Sequence, residues 1–258
     1  MQAFVINLDS ATDRWAFVAN SFAHTQLLLR RVPAVDAKTL LFPHRDYAEH
    51  RYRWFHGRVP NPRELACYLS HIKAIESFLG TDESHAVIAE DDVTLRPDFD
   101  AVIQAALHSS GAWNILRLSA LGRGSPVRVA RLCGDYSLCV NLGRLKGSGA
   151  YLVDRRAAAA LRNYLLPMRL PYDHALDREW CWGLRALSVL PFPATQNESP
   201  FLSSVQPGTY PRLSRFHRCL GTYPYQSCNE FSRWIYRGSE TIYLKARPRR
   251  FWVVRKAD

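Results

Sequence analysis

With 258 residues, 47% of them hydrophobic and 22% charged, the chain can bury a sizeable core and is neither disordered nor membrane-spanning in bulk. No apolar run approaches the ~18 residues of a transmembrane helix, and the N-terminus enters a strand pattern with no basic leader or cleavage site, so a cytoplasmic protein is expected. The net charge of +11 is uneven: residues 212–258 carry eleven Lys or Arg against Glu230, Glu240 and Asp258, a net of +8 that favours an anionic partner such as nucleic acid, a phospholipid surface or a phosphorylated glycolipid.

In chain order, residues 4–8 (Phe-Val-Ile-Asn-Leu) read as a first buried strand and the polar residues 9–14 as the loop after it. Helical spacing over 15–29 groups Trp15, Val18, Ala19 and Phe22, and residues 31–35 predict a second strand. Residues 36–60 are polar, aromatic and irregular, the profile of a long functional loop. A helix start follows, with Asn61 as N-cap, Pro62 at the first helical position and Glu64 completing a capping box. That helix puts Leu65, Leu69, Ile72, Ile75 and Leu79 on one face and leaves Ser70 and His71 off it. A short apolar strand, 86–89, leads to a helix over 99–107, and residues 113–118 alternate like another strand. Residues 120–135 look like a Gly- and Arg-rich connector, 136–142 and 146–153 like strands, and 155–166 like an Ala/Leu helix. A further helix opens at 171–177 and an extended stretch at 190–193 leads to Thr195-Gln196-Asn197-Glu198-Ser199. Alternating strands and helices predict an α/β fold with a mostly parallel central sheet flanked by helices over 1–207, followed by a basic, aromatic extension over 208–258. That extension suits a membrane interface or stacked nucleic acid, or else a helical pair packed on the domain with its arginines solvated.

The organising stretch is the end of strand 86–89, where Glu90, Asp91 and Asp92 follow one another. Three acids at the end of a buried strand need a counter-charge, since desolvation and repulsion otherwise drive protons onto them. A divalent cation supplies it, and all-oxygen ligands suit Mg2+ or Mn2+. The alternative is a solvated turn whose acids cap the next element. The six cysteines match no zinc spacing and read as free, mostly buried thiols.

Several stretches together resemble glycosyltransferase family 25, the bacterial lipooligosaccharide galactosyltransferases and their relatives. They are Val5-Ile6-Asn7-Leu8-Asp9 with Asp13-Arg14; Glu64 through Cys67 and Tyr68 to Ser70-His71; Ile88 through Glu90-Asp91-Asp92 to Val93, with Pro97-Asp98-Phe99; Gly147-Ser148-Gly149-Ala150-Tyr151; Leu170 to Asp173-His174; and Gln196-Asn197-Glu198-Ser199. They cover roughly 3–205 in the family's order. The chain departs at Arg63-Glu64-Leu65-Ala66, where the family has Gly-Glu-(Ile/Val)-Gly, and at Gly147-Ser148, where Gly-Thr is common. The resemblance implies a GT-A-like fold and an inverting, metal-dependent transfer of a hexose, often galactose, from a UDP-sugar to a lipid-linked or free saccharide.

Under that reading Asp92 holds Mn2+ or Mg2+, Glu90 joins it or bonds ribose, Asp91 lends charge, and His174 or Glu198 supplies a third ligand. Asp173 is the first candidate for general base, with Glu198 in reserve, although Asp173 also reads as a plain N-cap. The loop from Asn7 and Leu8 to Arg14 occupies the nucleotide position of such sheets, where Arg14 pairs either a phosphate or an acid. Ser70 and His71 reach the donor or hydrogen-bond the acidic strand end, and Gly147, Ser148 and Gln196 are carried over as donor contacts. The basic tail fits peripheral contact with an anionic membrane at its inner face, with nucleic acid disfavoured by the acid cluster. The competing readings are a metal-dependent phosphohydrolase and a nucleic-acid- or anionic-surface-binding protein on a degenerate transferase fold.

Overall fold

The computed structural model describes residues 1–122, 124–196, 200–201 and 210–247. The elements in order are β1 (Gln2–Asn7), α1 (Thr12–Phe22), β2 (Leu28–Pro33), α2 (Glu49–His56), α3 (Pro62–Leu79), β3 (His85–Glu90), β4 (Thr94–Leu95) and α4 (Phe99–His108). They continue with β5 (Ile115–Arg117), β6 (Pro126–Arg131), β7 (Ser137–Asn141), β8 (Ala150–Asp154), α5 (Arg155–Tyr164), α6 (Tyr172–Leu176), β9 (Ala186–Leu190), β10 (Ala194–Thr195), α7 (Arg215–His217) and α8 (Tyr223–Lys245). Eight strands form one sheet in the order β2-β1-β3-β8-β5-β9-β7-β6. β7 and β8 run against the common direction of the other six, so the expected α/β fold with a mostly parallel sheet is the one observed.

Side-chain alternation along the central strands feeds two cores. Phe4, Ile6 and Ile88 face the layer of α3, α5 and α6, whereas Val5, Val87 and Leu116 face α1, α4 and α8. Phe78 on one side and Trp113 on the other are among the fully buried residues, each contributing ~2–3 kcal/mol by burial.

α3 starts as its sequence dictates: the Asn61 side chain accepts the Arg63 N–H at 2.9 Å and Pro62 needs no donor. Glu64 does not close the expected capping box, because its carboxylate accepts the Tyr52 hydroxyl instead. That tyrosine comes from α2, a helix inside the stretch expected to be an irregular loop.

Other boundaries moved for tertiary reasons. The first helix stops at Phe22, whose carbonyl accepts the Thr25 hydroxyl at 2.8 Å, and residues 28–33 are drawn into pairing beside β1. The Gly/Arg-rich connector contains β6, an edge strand on β7, in which Arg128 and Arg131 are exposed on either side of a break in the pairing register. Of the six unbridged cysteines, Cys181, Cys219 and Cys228 are exposed rather than buried. Past the sheet, α8 packs back on the domain and delivers Leu244 to the second core. Among the described residues no helix is long and apolar enough to cross a membrane.

Candidate active site

The order β2-β1-β3 makes the chain reverse its winding between β1 and β3, which opens a crevice beyond their carboxyl ends. Asn7 ends β1 and Glu90 ends β3, and the crevice is bridged there by one hydrogen bond: Asn7 Nδ2 donates to Asp91 Oδ2 at 2.7 Å. The other side of the Asn7 amide accepts from Arg31 at 2.6 and 3.0 Å, which fixes its orientation. Arg14, in the first turns of α1, donates Nε to Asp91 Oδ1 at 2.8 Å, and its Nη2 reaches Asp91 and, at 3.4 Å, Asp92. Arg14 is thus paired with the acids of the strand end.

Glu90 is met from three directions. Ser148 Oγ donates to Oε1 at 2.7 Å, His71 Nε2 lies 3.3 Å from the same oxygen, and Gln196 Nε2 donates to Oε2 at 3.3 Å. The same Gln196 nitrogen donates to Asp92 Oδ1 at 2.7 Å, so one amide group ties the two carboxylates together. His71 is itself held, stacked on Tyr172 with ring centres 3.9 Å apart and with Nδ1 3.3 Å from the Tyr151 hydroxyl.

The two carboxylates respond oppositely. Burial pushes Glu90 up, but the hydrogen bonds and charge of His71 and the Ser148 hydroxyl outweigh it and hold Glu90 below its ordinary value. Asp92 is pushed up to about 6, first by burial and then by the charge of Glu90, against weaker help from Gln196 and Arg14. Asp92 is therefore the acid whose counter-charge the protein does not fully supply.

The approach of Gln196 depends on a glycine. A side chain at Gly149 would overlap the Gln196 amide, so residue 149 must be bare for the carboxylates to be bridged. Gly147, at φ +83°, makes the preceding turn, and its N–H donates to Asp173 Oδ2 at 3.1 Å. Its carbonyl accepts from the buried guanidinium of Arg117 at the end of β5.

Asn7, Leu8, Arg14, Ser70, His71, Glu90, Asp91 and Asp92 line one cavity of about 390 Å³ at the crevice. Gly147, Ser148 and Gln196 lie outside its lining but build the turn and bonds that hold its acids. Ser70 and His71, read as off the core face, are in fact buried at 2% and 0% exposure. Ser70 Oγ donates to the Ala66 carbonyl at 2.7 Å and accepts the Val35 N–H at 2.9 Å, pinning the loop after β2 to α3.

Two expectations are corrected. Asp173 is not an N-cap, since the cap position of α6 is Pro171. Its oxygens accept the N–H groups of Gly147 and His174. Burial pushes its carboxyl up, but the neighbouring His174, those N–H groups and Arg117 prevail and hold it below the carboxylate range. His174 does not join the acids as a ligand. Both its ring nitrogens face Arg144 Nη1, at 3.1 and 3.2 Å, and its ring meets His56 edge-on. Glu198 lies outside the described residues.

The donor set fits a hard divalent cation at Glu90 and Asp92: two carboxylates converge where a single amide now bridges them, and one of them lacks a full counter-charge. Among the described residues, the His, Cys, Asp and Glu side chains whose ligand atoms cluster within 4.8 Å are Cys67, His71 and Glu90. Burial and the surrounding acids push the Cys67 thiol well up, so it is a neutral thiol and a poor ligand for Mg2+ or Mn2+.

With this geometry established, residues 1–125, which contain both sides of the crevice and all three acids, match the family described as glycosyltransferase family 25 (LPS biosynthesis protein). The N-terminal part of the chain, residues 1–125, is thus similar to the family 25 glycosyltransferases. The Gly147–Gly149 turn, Asp173 and Gln196 lie beyond the matched residues. A solved structure, that of the inositol-1-phosphate CTP transferase from T. maritima, is similar over 79% of this chain and 91% of its own, at 13% identity and a TM-score of 0.39. No curated protein matches the chain.

Missed from sequence were Arg31, which sets Asn7, Arg117, which sets Gly147, and Cys67, Lys38 and Arg63 in the cavity lining. The arginines carried no signal because a partner is defined only after strands far apart in sequence become neighbours.

Proposed function

We propose that this chain is a family 25 glycosyltransferase that transfers a hexose, with galactose from UDP-galactose as the leading candidate, to a saccharide acceptor of a lipooligosaccharide or related glycan, with Mn2+ or Mg2+ and inversion at the sugar. The supporting observation is the incompletely neutralised pair Glu90 and Asp92 at a switch-point crevice of about 390 Å³, within the usual size range of small-molecule sites. Asp92 and Glu90 would hold the cation, which supplies Lewis-acid neutralisation of the diphosphate leaving group. Asn7, Leu8 and Arg14 form the wall on which the nucleotide lies, with Arg14 fixing Asp91 rather than a phosphate. Lys38, exposed on that lining, is placed for phosphate contact.

In this reading Asp173 is a positioning residue. Both its oxygens are committed to backbone N–H groups, and a carboxyl held below its ordinary range is a weak base at neutral pH. It locks the turn that presents Ser148 to Glu90.

The deciding experiment is calorimetric titration of UDP with and without Mn2+ on wild type and Asp92→Ala. Manganese-dependent UDP binding that the variant loses, with unchanged circular dichroism, supports the reading, and a panel of UDP-sugars then names the donor. Absence of UDP binding with either metal overturns it, as does Asp92→Ala retaining more than about a tenth of transfer activity.

A further inference from the structure

α8 is amphipathic in the wrong sense for a helix on a protein surface. Its inward face carries Arg233 and Arg237, at 0% and 3% exposure, beside Leu244. Its outward face carries Phe231, Trp234, Ile235 and Ile242, at 68%, 65%, 58% and 74% exposure. These four fall at i, i+3, i+4 and i+11, one continuous stripe with Gly238 between them. Phe216 and Leu220, also exposed, precede it, and a groove of about 660 Å³ opens beside Phe231 and Trp234. Scattered exposed apolar residues are ordinary; a stripe of large ones opposite buried arginines is not.

The charges around the stripe identify what covers it. Both acids of the helix are engaged: Glu230 pairs with Arg233 and lies 3.9 Å from Arg144, and Glu240 pairs with Arg185 at 2.7 Å. Arg212 and Arg215 are exposed before the helix, and Lys245 and Arg247 at its end. We infer that the outward face of α8 is a membrane-docking surface, its aromatic and aliphatic stripe entering the headgroup–acyl boundary of an anionic bilayer while the cations at both ends meet lipid phosphates. A helix of 23 residues is ~35 Å long, enough to lie in the interface plane with both cationic ends on it. Trp and Phe suit that boundary, being apolar bodies that tolerate a wet edge. A second copy is disfavoured because cationic ends would meet cationic ends, and nucleic acid because phosphates do not remove Ile235 and Ile242 from water. The inference rests on α8 alone and is independent of the transfer chemistry assigned to the crevice.

The test is flotation of the full chain with vesicles of phosphatidylglycerol mixed with phosphatidylcholine, compared with phosphatidylcholine alone, at low and physiological salt. The wild type is expected to float with the anionic vesicles and about tenfold less with the neutral ones. Trp234→Glu/Ile242→Glu is expected to lose about tenfold in vesicle affinity, with its melting temperature and UDP binding unchanged. Phe231→Ser serves as a second, milder variant should the double one fail to fold. The inference is overturned if the wild type stays unbound at both salts, or if the folded variants float like wild type. It is also overturned if sedimentation shows a dimer that these substitutions dissociate, or if the stripe variants lose binding to single-stranded DNA while still floating.

Discussion

Two clusters of buried acids in this molecule are built alike and behave differently. Under α8, Asp177 and Glu179, at 3% and 0% exposure, meet Arg233 and Arg237. Arg237 donates to Asp177 at 2.8 Å and to both oxygens of Glu179 at 2.7 and 2.8 Å, and Arg233 lies 3.2 Å from Asp177. Two acids face two guanidiniums, and the pairing drives the Arg237 proton affinity far up despite the cost of burial. At the crevice, Glu90, Asp91 and Asp92 share one arginine, Arg14, and the imidazole of His71, and Asp92 is left at about 6. A balanced buried cluster is a joint that fixes a helix to the sheet. An unbalanced one carries an electrostatic cost that a cation would relieve, and that cost is why the crevice is proposed as the site.

This contrast is open to direct attack. The largest effect is expected from Arg237→Met, which strips Glu179 of the partner to both its oxygens and leaves a fully buried carboxylate; a loss of ~3–5 kcal/mol in urea unfolding is expected, and a loss below ~1 kcal/mol would deny the joint its role. Arg14→Gln removes the arginine from the crevice acids and is expected to cost ~2–3 kcal/mol at neutral pH.

Asp92→Asn should act in the opposite sense when metal is absent. Since the folded carboxyl titrates near 6 against an ordinary 3.8, the folded state holds the proton longer than the unfolded one. The contribution of Asp92 to stability therefore falls as pH rises through 4 to 6, by at most ~3 kcal/mol. The asparagine variant is expected to gain ~1–2 kcal/mol at pH 7 in EDTA and nothing near pH 3.5, and a flat difference across that window would remove the imbalance from the account. The smallest change is expected from Ser148→Ala, ~1 kcal/mol, together with a Glu90 carboxyl that titrates higher, observable by carboxyl-carbon NMR.

The site was legible to the extent that its chemistry is contiguous in sequence. Glu90-Asp91-Asp92 after an apolar strand, Asn7 with Arg14, and Ser70-His71 were read from the chain, and all line one cavity. The roles were less legible than the positions. Asp173 reads as a base or a cap, and only the distance to the Gly147 N–H shows a carboxylate already engaged. His174 reads as a ligand, and only the fold turns it to Arg144.

The tail shows the same division on a larger scale. Its sequence determined that apolar and basic residues alternate over one long stretch, but not which face of a helix turns inward. Packing on the sheet chose the arginines, because Asp177, Glu179 and the carbonyls of Asn141 and Gly143 were waiting there as acceptors, and that choice turned Phe231, Trp234 and Ile242 outward. By itself, then, the sequence determined the α/β alternation, the capped helix α3 and the acids at the end of β3, since each rests on propensity and spacing within a few residues. Only the tertiary structure decided which acid lacks a counter-charge and which aromatics face solvent, since both depend on partners brought together from distant parts of the chain.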